Sequence, residues 1–75
     1  MIEIWGKDNC PNCTKAKSYL DVRNIDYIYK RMGDDFTREQ VFEEFPTARV
    51  FPQIKINGKS IGSYEQMTTY IETMY

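Results

Sequence analysis

Ile2-Glu3-Ile4-Trp5-Gly6-Lys7-Asp8-Asn9-Cys10-Pro11-Asn12-Cys13 is the stretch that decides the fold, and it holds the chain's only two cysteines. Ile2 and Ile4 alternate as on one face of a short strand, Met1 to Trp5, and Gly6 to Asn9 reads as a loop that delivers Cys10. Beyond the cysteines, Cys13, Ala16 and Tyr19 or Leu20 form the inner stripe of a helix from Pro11 to Arg23, with Lys15 and Lys17 pointing outward. Pro11 suits the first helical position, where its missing N–H is no loss. Cys10 is then the cap residue and Cys13 lies within the first turn. A helix start carries unpaired N–H groups and about +0.5 charge, which stabilises a thiolate, the nucleophilic form of cysteine. A C-x-x-C pair at a strand-to-helix junction is therefore a redox signal.

Three other uses of the pair stay open at this point. A closed structural zinc site needs four ligands. With two cysteines and no histidine, one chain would have to add carboxylates or a second copy. A purely structural disulfide would close so short a ring that loop entropy contributes only about 2 kcal/mol. The thiols could also be buried and inert.

Composition narrows the classes. Seventy-five residues make one domain, 1–75, which buries about 60–65% of its unfolded surface. One Trp, six Tyr and four Phe enlarge the core of so small a chain. Ten Lys and Arg against eleven Asp and Glu, a net charge of −1, argue against nucleic acid or membrane as the main partner. No apolar run approaches the roughly 18 residues of a membrane span, and the N-terminus lacks the pattern of a secretory signal. A cytoplasmic location is the expectation, and there a C-x-x-C pair cycles rather than staying locked.

The rest of the chain supplies punctuation. Asn24 can end the first helix in a left-handed conformation, and Ile25 to Lys30 reads as a second strand. Thr37 and Gln40 make a capping box, with Phe36 and Val41 as a hydrophobic staple. Val41, Phe42 and Phe45 offer that second helix an apolar face, and Pro46 stops it. The acidic cluster Asp34, Asp35, Glu39, Glu43 and Glu44 reads as its solvated side. Phe51-Pro52-Gln53 leads into a third strand with Ile54 and Ile56 inward. Asn57-Gly58 is a hairpin signal, and Lys59-Ser60-Ile61 is the return strand. Ser63 and Gln66 form a second capping box, opening a helix with Met67, Tyr70, Ile71 and Met74 on one face. The order β-α-β-α-β-β-α predicts a four-stranded mixed sheet with three flanking helices on both faces, the first two strands parallel across a right-handed crossover.

This order resembles the thioredoxin-like fold, and its details resemble small dithiol glutaredoxins. The likeness is carried by Gly6 to Cys13, by Phe51-Pro52-Gln53-Ile54 and by Asn57-Gly58-Lys59-Ser60-Ile61-Gly62-Ser63-Tyr64. The resemblance implies a glutathione-dependent thiol–disulfide oxidoreductase. Cys10 would attack and Cys13 resolve, with glutathione as co-substrate, no permanently bound cofactor and no metal. Pro52 would be cis, and the backbone of Phe51 would pair with glutathione or a substrate peptide. The start of the third helix, at Ser63, Tyr64 and Glu65, would offer N–H groups to a γ-glutamyl carboxylate. Lys7 would stabilise the thiolate or hold the glycine carboxylate, with Arg49 as a second clamp. Tyr64 would border the groove or pack on the core, and Trp5 would pack at the strand end or touch the substrate.

Four positions depart from the family pattern. Asn12 stands where Tyr is common, Val50-Phe51 replaces Thr-Val, Ser63 replaces a Gly, and Gln66 replaces a frequent Asp, leaving Glu65 as the neighbouring carboxylate. The implied partners are glutathione and disulfide-containing or glutathionylated proteins, including ribonucleotide reductase, met by a monomer. Two alternatives accompany this expectation. One is a redoxin served by thioredoxin reductase, and the other is a dimer binding an iron–sulfur cluster with the help of glutathione.

Overall fold

The alternation of Ile2, Ile4 and Trp5 divides the molecule into two faces. In the computed structural model, which describes residues 1–74, β1 (Ile2–Gly6) is followed by α1 (Pro11–Val22), β2 (Tyr27–Arg31), α2 (Arg38–Glu44), β3 (Gln53–Ile56), β4 (Lys59–Gly62) and α3 (Tyr64–Met74). The sheet runs β2-β1-β3-β4. β1 and β2 are parallel with Ile2 opposite Tyr27, and β1 and β3 are antiparallel with Ile2 opposite Ile56. Ile2, Ile4, Ile54 and Ile56 point to one face and are covered there by Ala16 and Leu20 of α1 and Met67 and Ile71 of α3. Trp5 points to the other face, against Phe36, Val41 and Phe45 at α2. The expected thioredoxin-like α/β architecture, with helices on both faces, is what the chain adopts.

Element ends follow local chemistry. Asn24 takes a φ of 57°, and the Asn24 and Ile25 N–H groups donate to Asp21 and Leu20 carbonyls at 3.1 and 3.0 Å. This double closure uses Ile25 as part of the α1 terminus. The second strand therefore starts at Tyr27 rather than Ile25, and α1 ends one residue before Arg23. Asn57 and Gly58, with φ of 52° and 80°, form the left-handed pair a two-residue hairpin requires. A register shift in β3–β4 carries the pairing from Lys55 opposite Ser60 to Ile54 opposite Gly62.

Leu20, not Tyr19, completes the buried stripe of α1, and Tyr19 packs at its margin. Lys17 is half-buried rather than directed outward, with its ammonium 4.3 Å from the Tyr29 ring centre. Phe42 and Met74 are exposed, not core. The α2 backbone turns only Val41 inward and leaves Phe45 at its C-cap, while Met74 is the last residue of α3. The acidic cluster is only partly a solvated face. Asp34 pairs with Arg31, Asp35 accepts from the Arg31 N–H at 2.8 Å, and Glu44 pairs with Lys55.

Candidate active site

The start of α1 forms as expected. Cys10 is extended, with φ of −125° and ψ of 100°, and Pro11 opens the helix. The Cys13 and Thr14 N–H groups donate to the Cys10 carbonyl at 3.1 and 3.2 Å. The Cys13 N–H also lies 3.1 Å from Cys10 Sγ, so the helix end is directed at the sulfur. Cys10 and Cys13 are joined as a disulfide across a Cα–Cα distance of 5.2 Å. Their environments differ: Cys10 is half-buried at the surface, whereas Cys13 is 1% exposed. Asn9, with a φ of 54°, turns the loop into the cap.

Beside Cys10 lies a groove of about 610 Å³. Lys7, Asn9, Pro11 and Asn12 form one bank, Met32 the floor near β2, and Ala48, Arg49, Val50 and Phe51 the facing segment. α2 supplies the third side through Arg38, Val41 and Phe42. The Phe51–Pro52 peptide is cis, and Pro52 is buried. Gln53 is buried as well, and its side-chain amide donates to the Val50 carbonyl at 2.7 Å. The strand is thereby latched to the segment that walls the groove. Lys7 Nζ lies 5.3 Å from the Phe51 ring centre, joining the two banks by a cation–π contact.

Asp8 is turned out of this arrangement. Its carboxylate is held by Arg31, with the Nε bond at 2.7 Å. That hydrogen bond keeps the Asp8 carboxyl below the usual range, outweighing the upward push of desolvation. Arg31 is correspondingly pushed up by Asp8 and then Asp34. The acidic residue of the redox loop is thus paired with Arg31 and does not line the groove.

Of the residues singled out in the sequence, Lys7, Cys10, Pro11, Asn12, Arg49 and Phe51 line one groove, while Cys13 and Pro52 lie buried beneath it. Ser63, Tyr64 and Glu65 do not line it. Tyr64 meets the Tyr19 ring edge-on at 6.2 Å and packs at the margin of the core. Glu65 borders a second depression, with Gln66 and Tyr70. The Ser63–Gln66 capping box forms by half. Gln66 Oε1 accepts from the Ser63 N–H at 3.0 Å, but the Ser63 hydroxyl donates to the same oxygen at 2.6 Å instead of accepting from the helix. Trp5 is core, between Phe36 and Phe45.

Arg38 and Phe42 are groove residues that the sequence did not single out. The available signal was the Thr37–Gln40 capping box, which fixes Arg38 as the first residue of α2. Both of its hydrogen bonds are made, at 2.8 and 3.1 Å.

Residues 2–61 match the family model described as Glutaredoxin. A glutaredoxin-like 8.6 kDa protein of the rubredoxin operon of Clostridium pasteurianum is 30% identical over 66 residues, 88% of this chain and 88% of that protein. The crystal structure of glutaredoxin 1 from Francisella tularensis, complexed with cacodylate, superposes with a TM-score of 0.80 over 97% of this chain and 93% of that one, at 21% identity. A buckwheat glutaredoxin–glutathione complex superposes with a TM-score of 0.77 over 96% of this chain and 68% of that one, at 19% identity. The two structural likenesses establish the fold.

Proposed function

The chain belongs to the glutaredoxin family, a class of thiol–disulfide oxidoreductases, and on that premise we propose that it reduces protein disulfides and glutathione mixed disulfides with electrons from glutathione. The supporting observation is the asymmetry of the pair: Cys10 is at the surface with a helix N–H on its sulfur, and Cys13 is buried behind it. In the reduced protein, the Cys10 thiolate attacks a substrate disulfide. A Cys10–substrate disulfide forms, the substrate S–S bond breaks, and the leaving thiolate takes a proton. The Cys13 thiol loses its proton and attacks Cys10 Sγ. The Cys10–Cys13 disulfide forms, the second substrate thiol is released, and two electrons have passed to the substrate. Two glutathione molecules then restore the dithiol and leave as one glutathione disulfide. With a glutathionylated substrate, Cys10 acts alone.

Lys7 and Arg49 supply cations to the glutathione carboxylates, and the cis Phe51–Pro52 segment offers backbone to its cysteinyl part, with Asn12 at the rim. The position of Ser63, Tyr64 and Glu65 outside the groove favours one second reading, in which thioredoxin reductase regenerates the dithiol. The proposed setting is a monomer in the cytoplasm, where the pair cycles, with ribonucleotide reductase among the protein disulfides to try first on family grounds.

A coupled assay tests the proposal. Protein, glutathione, glutathione reductase, NADPH and a small glutathione mixed disulfide are expected to give steady NADPH oxidation. Turnover only with thioredoxin reductase in place of the glutathione system would overturn glutathione dependence. Cys10→Ser should abolish all activity, and Cys13→Ser should abolish dithiol reduction yet spare deglutathionylation. Loss of both activities in Cys13→Ser would overturn the assigned roles.

A further inference from the structure

The groove beside Cys10 carries Lys7, Arg38 and Arg49 and no carboxylate, in a chain whose net charge is −1. On the sheet Lys30 pairs with Glu3, Arg31 with Asp8 and Asp34, and Lys55 with Glu44, while Lys15, Lys17, Arg23 and Lys59 are spread over other surfaces without gathering in a groove. Among the described residues, none of the three groove cations takes part in an ion pair. Alternating with them are two large apolar side chains left open to water, Phe42 at 44% and Val50 at 56% exposure. The Thr37–Gln40 capping box holds the helix start that carries Arg38, and the Gln53–Val50 bond holds the opposite bank. Both walls are thus pre-organised before any substrate arrives.

From this pattern we propose that the groove selects protein disulfides flanked by an extended acidic segment that also bears a large apolar side chain. The acidic residues meet Arg38 and Arg49, and the apolar one rests between Phe42 and Val50. Glutathione brings carboxylates but no large apolar side chain, so Phe42 and Val50 address a feature that only a protein substrate carries. The inference rests on the reading that Cys10 attacks disulfides. It names which protein disulfides are attacked fastest, and the bond changes are those of the dithiol route above.

The test uses the full chain, chemically reduced and freed of reductant, in single turnover without glutathione. Two synthetic peptides share one disulfide and one leucine and differ only in flanking Glu or Lys residues. The acidic peptide should be reduced at least about tenfold faster at low ionic strength, the gap narrowing with added salt. Arg38→Glu, at an exposed position, should cut that ratio at least about fivefold, and Arg49→Glu provides an independent second variant. Phe42→Ser should slow the acidic leucine peptide relative to an acidic glycine peptide. Equal rates for the acidic and basic peptides, or an unchanged ratio in both charge reversals, would overturn the selectivity while leaving the oxidoreductase reading standing. Failure to reduce even hydroxyethyl disulfide would overturn that reading, and this inference with it.

Discussion

The two faces of the sheet are built differently. On one, four isoleucines from β1 and β3 meet α1 and α3, of twelve and eleven residues, in an aliphatic core. On the other, a Trp, two Phe and a Val form the whole buried cluster under a seven-residue helix. Lys30 and Lys55 extend that second face as cross-strand neighbours of Trp5 and Glu3. Their ammonium groups lie 4.9 and 5.7 Å from the Trp5 ring centre, so the stems cover the indole while the charges meet Glu3 and Glu44. The first face supplies stability and the second supplies the groove. A short capped helix over a small aromatic cluster can present side chains to a substrate because it is not itself enclosed.

This division predicts unequal losses from similar truncations. Leu20→Ala, fully buried on the first face, should lower the unfolding free energy by about 3–4 kcal/mol, since neither long helix can move in to fill the cavity. Val41→Ala, whose side chain borders the open groove, should cost about 2 kcal/mol, because α2 can settle towards the sheet. Urea denaturation with the disulfide intact measures both. Equal losses would erase the distinction between the faces.

A smaller effect sharpens the comparison. Thr37→Ala removes the hydroxyl that accepts from the Gln40 N–H at 3.1 Å and should cost about 1 kcal/mol. The same loss without any change in peptide selectivity would mean that the α2 terminus holds the fold but not the groove.

The smallest effect concerns acid. Burial raises the Glu3 carboxyl, but hydrogen bonds from Trp5 and Lys30 overcome it and the net shift is downward. The native state therefore binds this proton less readily than the unfolded chain. The contribution is fully present above the ordinary value of about 4.3 and is lost as pH falls through the lowered one. Glu3→Gln should make the acid-induced loss of unfolding free energy between neutral pH and pH 3, measured by urea denaturation at each pH, smaller by an amount on the order of a few tenths of a kcal/mol. An unchanged drop would show the Glu3–Trp5–Lys30 group to be a bystander.

Legibility in the sequence was uneven for physical reasons. Cys10-Pro11-Asn12-Cys13, Asn24, the Thr37–Gln40 box and Asn57-Gly58 are local devices whose geometry depends on a few adjacent residues, and each formed as its chemistry requires. Phe42 looked apolar enough for the core, yet which side of a two-turn helix is buried depends on how it docks against Trp5 and Phe36, and that is a tertiary matter. Arg38 was unremarked because an arginine after a cap has no signature until the chain from Ala48 to Phe51 faces it. Ser63 and Gln66 had the right spacing for a full box, but one glutamine oxygen took both donors. The groove's centre was therefore readable and its third wall was not.

β1 has a consequence for incomplete chains. It is the second strand of the sheet order, with both of its edges occupied, and the partner on one edge is β3. Ile2 is opposite Ile56 and Ile4 opposite Ile54. A fragment ending before Gln53 would retain β1, α1 and β2 yet leave one whole row of β1 N–H and C=O groups unpaired, beside isoleucines that have lost the Met67 and Ile71 part of their cover. Such an edge is a template for another chain. Truncated products of this protein should therefore be sticky rather than merely inactive, and solubility in the test tube should report whether the third strand has arrived.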